Sequence, residues 1–174
     1  PLVSANMDTV TRAPMAIVMA EEGGIGVIDR GFRAGDIEPQ VTEVATVKRT
    51  QHGTVSDPLS IGVSASVAEA RRLMRTAQVG TLVVVEDDGR LAGLITERDV
   101  RFVDGAAGVR ERMTPRDRLV VHTGTLSLQD AERVMVERKV KKLPLVGVDG
   151  RVIGLITARD LIKHREHPFA TRDG

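Results

Sequence analysis

A threonine and an aspartate three residues apart occur twice in this chain, as Thr96 with Asp99 and as Thr157 with Asp160. A carboxylate can accept both hydroxyls of a ribose, and a threonine hydroxyl beside the free N–H groups of a helix start suits a phosphate oxygen. At least one of the two pairs is therefore predicted to bind a nucleotide. The alternative is that each aspartate caps its own helix by accepting backbone N–H bonds, and the two roles are compatible.

These pairs end the best-matched part of an internal repeat. The twelve residues Asp88–Asp99 return 61 residues later as Asp149–Asp160, with nine positions identical and no gap. Arg98 and Arg159 recur in register, which favours a ligand contact for both. A repeat of this kind is one supersecondary unit that cannot bury its apolar face alone. The two copies are therefore expected to pack on each other.

Each copy is predicted to fold as a leading strand, a helix, a hairpin and a closing helix. The first helix opens with a capping box, Ser66 with Glu69, and its counterpart opens with the weaker pair Ser127 and Asp130. An Asp-Gly turn joins the two strands of each hairpin, and a closing helix begins at the aspartate of each Thr-x-x-Asp pair. The hairpin strands are expected at residues 81–86, 91–96, 142–148 and 152–157.

The first 54 residues stand outside the repeat. Thr11 is expected to cap a helix that runs to about Glu22, and Gly23-Gly24 to end it. Ile25–Ile28 is predicted to be a buried strand, and an amphipathic helix follows over residues 37–49. The apolar stripe of that helix consists of Ile37, Val41, Val44 and Val47. Strand, helix, strand, helix is an order typical of a parallel sheet or barrel, and two strands need further partners to close one.

Composition excludes several classes of function. The 174 residues are 41% hydrophobic and 28% charged, as in ordinary soluble globular proteins. A net charge of +1 does not favour a nucleic-acid or membrane partner, and three Phe without Trp or Tyr disfavour base stacking. Without cysteine there is no disulfide framework and no thiolate nucleophile. No signal peptide or long apolar run is present, so a cytoplasmic setting is expected.

Neither the histidines nor the glycine-rich segment predicts a ligand site. The four histidines, His52, His122, His164 and His167, have no metal-ligand spacing and are predicted to lie on the surface. The run Gly23–Gly26 lacks the strand-then-helix order of a phosphate loop, so its glycines are predicted to end a helix.

The repeats resemble a tandem pair of cystathionine-β-synthase (CBS) repeats, together called a Bateman module. The matching residues are Gly-Leu-Ile-Thr-x-Arg-Asp at the end of both hairpins and Lys142–Val146 before the second. In CBS repeats the matched Thr and Asp positions hold adenosine nucleotides. The resemblance therefore implies ATP or GTP, with Mg²⁺, as a regulatory ligand, and it places CBS repeats at residues 55–113 and 114–165.

Other residues of the repeats are candidates for the same nucleotide site. Lys141 and Lys142 are suited to a polyphosphate while the strand backbone near Pro144 reads the base. The alternative is a solvated strand edge protected by lysine. Thr123 and Val63, on the leading strands, are weaker candidates for the lining of the base pocket.

Arginines crowd the linker between the repeats. They are Arg98, Arg101, Arg110, Arg112, Arg116 and Arg118. Arginine forks suit phosphates. Acidic residues are interleaved with them, namely Asp99, Asp104, Glu111 and Asp117. A salt-bridged, solvated face is therefore the favoured interpretation for most of these arginines.

The flanks of the repeats resemble the first strands of the IMP dehydrogenase barrel. The matching segments are Pro1–Thr11, Ala13–Ala16 and Glu22–Ile28. In that family a Bateman module is inserted after the second barrel helix. The resemblance implies an α/β fold with a TIM barrel that is incomplete in this chain, its first βα units at residues 1–54 and its return linker at 166–174. It also implies that Ser4 and Met7 lie against the nucleotide substrate, and that the natural protein continues into six more barrel units.

The same resemblance implies an activity for the whole protein. It would oxidise IMP to XMP with NAD and a monovalent cation (K⁺), as a homo-oligomer: a tetramer, or an octamer joined through Bateman modules. The family's catalytic cysteine, phosphate-binding glycine loops and flap are absent from this sequence, so the chain alone is expected to be inactive. Two alternatives stay open: a GMP reductase that carries the same insertion, and a stand-alone nucleotide-sensing module.

Overall fold

The computed structural model describes residues 2–7, 10–29, 37–51, 58–167 and 170. The chain has a mixed α/β fold, as predicted, and it divides into two units. One groups Pro1–Val55 with Thr157–Gly174, and the other is Ser56–Ile156.

In the first unit, two extended segments pair in parallel at Val3 and Ile25. Ser4 N donates to Ile25 O at 2.9 Å, and Ile25 N donates to Leu2 O at 2.8 Å. Helix α1 (Ala13–Glu21) lies between them in the chain, and helix α2 (Glu38–Gln51) follows. The predicted strand–helix–strand–helix order is confirmed, although each strand is reduced to a single bridge.

Three details of this unit differ from the prediction. Thr11 is not the cap of α1. The N-cap is Arg12, and the first N–H of the helix, on Ala13, is instead bound by the Glu43 carboxylate of α2.

The second segment is not buried, since Ile25 is 50% exposed. It pairs with the first through a single bridge, and no second layer covers that bridge among the described residues. The predicted stripe of α2 is also open to solvent, with Ile37, Val41 and Val44 all exposed.

Two glycine predictions in this unit are confirmed. Gly23 follows α1 with a φ of 75°, a left-handed conformation that favours glycine and ends the helix. Gly26 allows a close approach, since a Cβ there would lie 2.4 Å from Ala16 Cα. The segment therefore packs against α1 and does not form a phosphate loop.

The second unit contains a four-stranded sheet that takes three strands from the first copy of the repeat and its fourth from the start of the second. Its strands are β1 (Ser60–Gly62), β2 (Thr81–Val85), β3 (Leu91–Thr96) and β4 (Thr114–Pro115), in the order β1-β2-β3-β4. β1 runs parallel to β2, and the other neighbours are antiparallel. The helices are α3 (Val67–Ala77), α4 (Glu97–Val100) and α5 (Val109–Arg112). The sequence did not predict β4.

A three-stranded sheet belongs to the second copy. A short 3-10 turn, Arg116–Arg118, leads into β5 (His122–Thr123), helix α6 (Leu128–Glu137), β6 (Lys142–Val146), β7 (Val152–Thr157) and helix α7 (Ala158–Glu166). The strand order is β5-β6-β7, with β5 parallel to β6. The predicted element order of both copies is confirmed, and the hairpin strands match within two residues.

Each repeat's helix α3 or α6 buries one apolar stripe, and both start as predicted. Ser66 and Glu69 form a full capping box, while Ser127 accepts from Asp130 N at 3.1 Å without the complete reciprocal pattern. Val67, Ala70 and Met74 of α3 and Ala131 and Met135 of α6 lie in the core.

The two copies pack on each other, as predicted. One buried cluster takes residues from both, with Val83, Leu91 and Leu94 of the first copy against Val146 and Leu155 of the second. Burying such side chains stabilises the contact by roughly 25 cal/mol per Å² of apolar surface.

The hairpin turns of the two copies are also joined. Arg90 and Arg151 form an antiparallel bridge, Leu91 N donates to Gly150 O at 3.1 Å, and Arg90 Nε donates to Asp149 O at 3.0 Å. Gly89 and Gly150 have φ values of 82° and 81°, which the tight Asp-Gly turns require. The turns therefore link the copies as well as closing each hairpin.

Candidate functional site

The first Thr-x-x-Asp pair sits where strand β3 ends and helix α4 begins. Thr96 pairs with Thr81 across the sheet, and Glu97 N donates to Gly80 O at 3.1 Å, which fixes the junction. Asp99 Oδ2 accepts from Thr96 N at 2.8 Å and from Thr96 Oγ1 at 2.7 Å. Both side chains are half-buried.

The second pair repeats this geometry at the junction of β7 and α7. Asp160 Oδ2 accepts from Thr157 N at 2.9 Å and from Thr157 Oγ1 at 2.6 Å, and Asp160 N donates to Thr157 Oγ1 at 3.4 Å. Burial raises the pKa of Asp160 above its ordinary 3.8, and this outweighs the lowering by the Thr157 hydrogen bonds and by the nearby Arg159 and Lys163 charges.

The capping interpretation of both aspartates is therefore confirmed, with one correction. The helices begin at Glu97 and Ala158, with the threonines as N-caps, rather than at Asp99 and Asp160. The aspartates occupy the third helical position, from which a carboxylate reaches back to the N-cap backbone.

The bonding pattern still leaves chemistry available for a ligand. In both pairs the hydrogen bonds that the aspartate accepts in the capping box go to its Oδ2, and none of them goes to Oδ1. That oxygen can accept a ligand hydroxyl without loss of the cap. The threonine hydroxyl hydrogen is directed to the carboxylate, so a phosphate oxygen would meet the backbone N–H groups rather than the hydroxyl.

Arg98 and Arg159 lie in the first turn of their helices, and both are exposed. An exposed guanidinium there is placed to meet an anion from solvent. Because each arginine neighbours the aspartate of its pair, the two copies present a cation beside a carboxylate in the same order.

Thr123, Lys142 and Pro144 lie on adjacent strands of the second sheet. β5 and β6 pair in parallel, with Thr123 opposite Val146. Thr123 and Lys141 are exposed, Lys142 is half-buried, and Pro144 is fully buried. β6 is the central strand of its sheet, so the alternative of a lysine-protected edge is wrong. Val63 is a core residue of the first copy, only 8% exposed.

The linker arginines pair differently from the prediction. Arg110 NH2 lies 3.0 Å from Glu86 Oε1, a residue of the first hairpin rather than one of the interleaved acids. Arg116 approaches the second hairpin turn, where a Cβ on Gly150 would lie 3.5 Å from its guanidinium. For the other members of the cluster, a solvated face remains a prediction.

Of the barrel candidates, Ser4 has a hydroxyl engaged in the fold and Met7 has an open side chain. Ser4 Oγ accepts from Val27 N at 3.1 Å and lies 3.0 Å from Thr11 Oγ1. Met7 is 58% exposed. His52, and residues 169–174 apart from Ala170, lie outside the described residues.

Sequence reasoning missed the roles of Thr11 and Arg71. Thr11 is fully buried. Arg71 Nε donates to Val100 O at 2.8 Å, and its NH2 group also reaches the carbonyls of Val100 and Val103. Arg71 could have been suspected from the repeat itself, because its counterpart 61 residues later is Glu132.

The surface prediction for the histidines needs adjustment. His122, His164 and His167 are half-buried, and His167 Nδ1 lies 3.9 Å from Glu22 Oε1. Among the residues with a described position, no group of three or more His, Asp or Glu side chains forms a metal site. Across the same ranges, no helix has the length and hydropathy to cross a membrane.

Comparison with known proteins places this arrangement in a family. The family profile described as "IMP dehydrogenase / GMP reductase domain" matches residues 1–155. The chain belongs to the IMP dehydrogenase/GMP reductase family. The resemblance seen in the barrel flanks is thereby confirmed.

Individual family members match the chain along its whole length. It is 39% identical over 177 residues to the inosine-5′-monophosphate dehydrogenase of Bifidobacterium longum, covering 99% of this chain and 32% of the relative. This chain thus spans about a third of the length of the curated relatives that it matches.

Solved structures of a GMP reductase also match the chain. A GMP reductase from Trypanosoma brucei in complex with guanosine 5′-triphosphate is 35% identical, with a TM-score of 0.89 over 100% of this chain and 42% of that one. A single-residue variant of that enzyme in complex with guanosine 5′-monophosphate is 34% identical, also with a TM-score of 0.89, over 100% of this chain and 37% of that one.

Proposed function

We propose that this chain is part of an IMP dehydrogenase, which converts IMP, NAD⁺ and water to XMP and NADH in purine nucleotide synthesis. The observation that carries the proposal is the match of the family to residues 1–155, together with a curated dehydrogenase 39% identical along the chain. NAD and K⁺ belong to the whole enzyme, and we assign no residue of this chain to either. Without a cysteine, the chain alone is inactive.

In this proposal the first unit contributes to the barrel. The parallel pairing of Val3 with Ile25 across α1 is the pairing of two neighbouring barrel strands. Ser4 and Met7 follow the first of these segments, at its carboxyl end. Chemistry in a barrel belongs at the carboxyl ends of the strands, so these residues lie against the nucleotide substrate.

Residues 55–165 are proposed to be two CBS repeats that form a Bateman module. Two copies with the same strand–helix–hairpin–helix order, joined through their hairpin turns, support this assignment. Its regulatory ligand is a purine nucleotide, ATP or GTP with Mg²⁺, at Thr96 with Asp99 or Thr157 with Asp160. The Oδ1 atoms, which the capping boxes do not use, support the carboxylate contact with a ribose. The modules would also contribute to a homo-oligomer.

A GMP reductase is the second candidate, and the solved structures favour it. The Trypanosoma brucei enzyme matches all of this chain at a TM-score of 0.89. The two reactions run in different redox directions, since one reduces the nicotinamide cofactor and the other oxidises it.

An activity assay of the full-length protein separates these candidates. IMP with NAD⁺ should yield NADH, whereas GMP with a reduced nicotinamide cofactor should be left unchanged. The opposite result would replace the dehydrogenase with the reductase. A protein inactive with both substrate pairs would contradict both assignments.

Calorimetric titration tests the regulatory site. The chain is titrated with Mg-ATP, Mg-GTP and AMP, and Asp160→Ala and Asp99→Ala are measured in parallel. Glu69→Ala is the matched control, because Glu69 is a capping-box carboxylate without a proposed ligand role. Saturable binding that weakens at least tenfold in one aspartate variant, about 1.4 kcal/mol, and persists in Glu69→Ala supports the site. Folded protein that binds none of the three nucleotides would reject it.

A further inference from the structure

The hydroxyl of Thr11 is buried, although polar side chains that precede a helix are usually exposed to solvent. Thr11 is 0% exposed, and it is the one polar side chain in the buried core of the described residues. A buried hydroxyl costs free energy unless it is hydrogen-bonded. Its partners therefore show what the residue does.

Those partners belong to the segment that carries Ser4 and Met7. Thr11 Oγ1 lies 2.6 Å from Ala5 O and 3.0 Å from Ser4 Oγ. A hydroxyl has one hydrogen, and the shorter contact to the carbonyl, which can only accept, takes it. The Ser4 hydroxyl then donates to Thr11 Oγ1.

This assignment completes a chain of donors across the unit. Val27 N donates to Ser4 Oγ at 3.1 Å, Ser4 donates to Thr11, and Thr11 donates to Ala5 O. Each hydroxyl accepts once and donates once. The hydrogen of Ser4 is therefore committed, and its oxygen keeps only an acceptor site for a ligand.

The backbone closes the same loop. Val10 N donates to Met7 O at 2.9 Å, and Thr11 N donates to the same oxygen at 3.3 Å. Thr11 thus holds the segment at two points, through its side chain at Ala5 and through its backbone at Met7. The Met7 side chain itself is exposed.

We propose that Thr11 is a positioning residue for the segment Ser4–Met7, acting through Ser4 and Met7 without touching substrate itself. This inference rests on the proposed function, which puts those two residues against the nucleotide. The Thr11 hydroxyl fixes the Ala5 carbonyl and the orientation of the Ser4 hydroxyl. The acceptor left on Ser4 suits a hydroxyl of the substrate rather than a phosphate oxygen, which cannot donate.

The test compares Thr11→Val with Thr11→Ser in the full-length enzyme. Valine keeps the shape and removes the hydroxyl, whereas serine keeps the hydroxyl. Thr11→Val should raise KM for the nucleotide substrate about tenfold, with a smaller change in kcat, because it leaves the Ala5 carbonyl without its donor. Thr11→Ser should keep KM within about twofold of the wild type.

An unchanged KM in Thr11→Val, or equal increases in both variants, would overturn the inference. If the valine variant does not fold, Thr11→Ala replaces it, and the same comparison with Thr11→Ser decides. The wild-type assay separates this result from the proposed function. A wild type inactive with IMP and with GMP rejects the function itself, whereas an active wild type with an unaffected valine variant rejects only the role of Thr11.

Discussion

In the first repeat the closing helix α4 spans the four residues Glu97–Val100, whereas in the second repeat α7 spans the nine residues Ala158–Glu166. Their first turns are alike, with a threonine N-cap and an aspartate that reaches back to it at 2.7 Å or 2.6 Å. After that turn the two sequences diverge.

The difference shows that a cap sets where a helix starts and not how far it runs. The chain after α4 continues with Phe102, Val103, Asp104 and Gly105, which are poor helix formers. After the first turn of α7, the residues 161–166 include leucine, lysine, arginine and glutamate, which favour a helix.

The carbonyls at the end of the short helix are satisfied from elsewhere. Arg71 of α3 donates to Val100 O, the last carbonyl of α4, and to Val103 O just beyond it, and helix-end carbonyls need such partners from outside the helix. Glu132 stands at the equivalent position of the second repeat and carries no donor. The repeat has therefore diverged at the residue that supports the shorter helix.

Replacing Arg71 should break this comparison most strongly. Arg71→Ala removes charge-assisted hydrogen bonds to two carbonyls and should lower the free energy of unfolding by about 2 kcal/mol. Glu132→Ala, at the equivalent position of the second repeat, is the matched control and should lower it less. Urea denaturation of both variants gives the measurement. Equal losses would show that Arg71 has no special role in ending α4.

Most of the repeat could be predicted because its signals are local. Capping residues, Asp-Gly turns and apolar spacing specify the elements, and Ser66, Gly89 and Gly150 occur where those rules require them. The first unit was predicted less well, since exposure at Ile25 depends on what covers it. Strand β4 has only two residues and gives no periodic signal.

The sequence predicted where the candidate site lies, but it did not predict the hydrogen bonds within it. The repeat identified the Thr and Asp residues, but the sequence cannot show which carboxylate oxygen the cap uses. Thr11 was interpreted as a helix cap because threonine before an apolar run favours that role. Its hydroxyl instead bonds to the Ala5 carbonyl, and no local pattern reports such a contact.

The pKa values of the capping carboxylates Glu69 and Asp160 should be shifted in opposite directions from their ordinary values. Hydrogen bonds from the Ser66 backbone and side chain lower the pKa of the exposed Glu69 below 4.5, whereas burial raises the pKa of Asp160 above 3.8. Carboxyl-carbon NMR across the acid range measures both. An Asp160 carboxyl that titrates below 3.8 would contradict the role of burial.

The signs carry over to stability. The ionised Glu69 carboxylate stabilises the folded state above pH 4.5, and this contribution is lost as the pH falls through its lowered pKa. The folded state holds the Asp160 proton more tightly than the unfolded chain does, so its contribution falls as pH rises from 3.8 to the raised pKa. As the pH rises, the wild type should therefore gain stability relative to Glu69→Gln. Over its own range it should lose stability relative to Asp160→Asn.

The smallest expected effect on stability concerns an ion pair of α7, and it tests directly why α7 is longer than α4. Lys163 Nζ lies 2.6 Å from Glu21 Oε1 of α1, and the side chains are 34% and 19% exposed. A partly exposed ion pair contributes about 0.5 kcal/mol. A double-mutant cycle of Lys163→Ala and Glu21→Ala, read by urea denaturation, should give a coupling of that size, and added salt should reduce it. A coupling of zero would mean that the Lys163–Glu21 pair does not support the greater length of α7, which the helix propensity of residues 161–166 would then explain better.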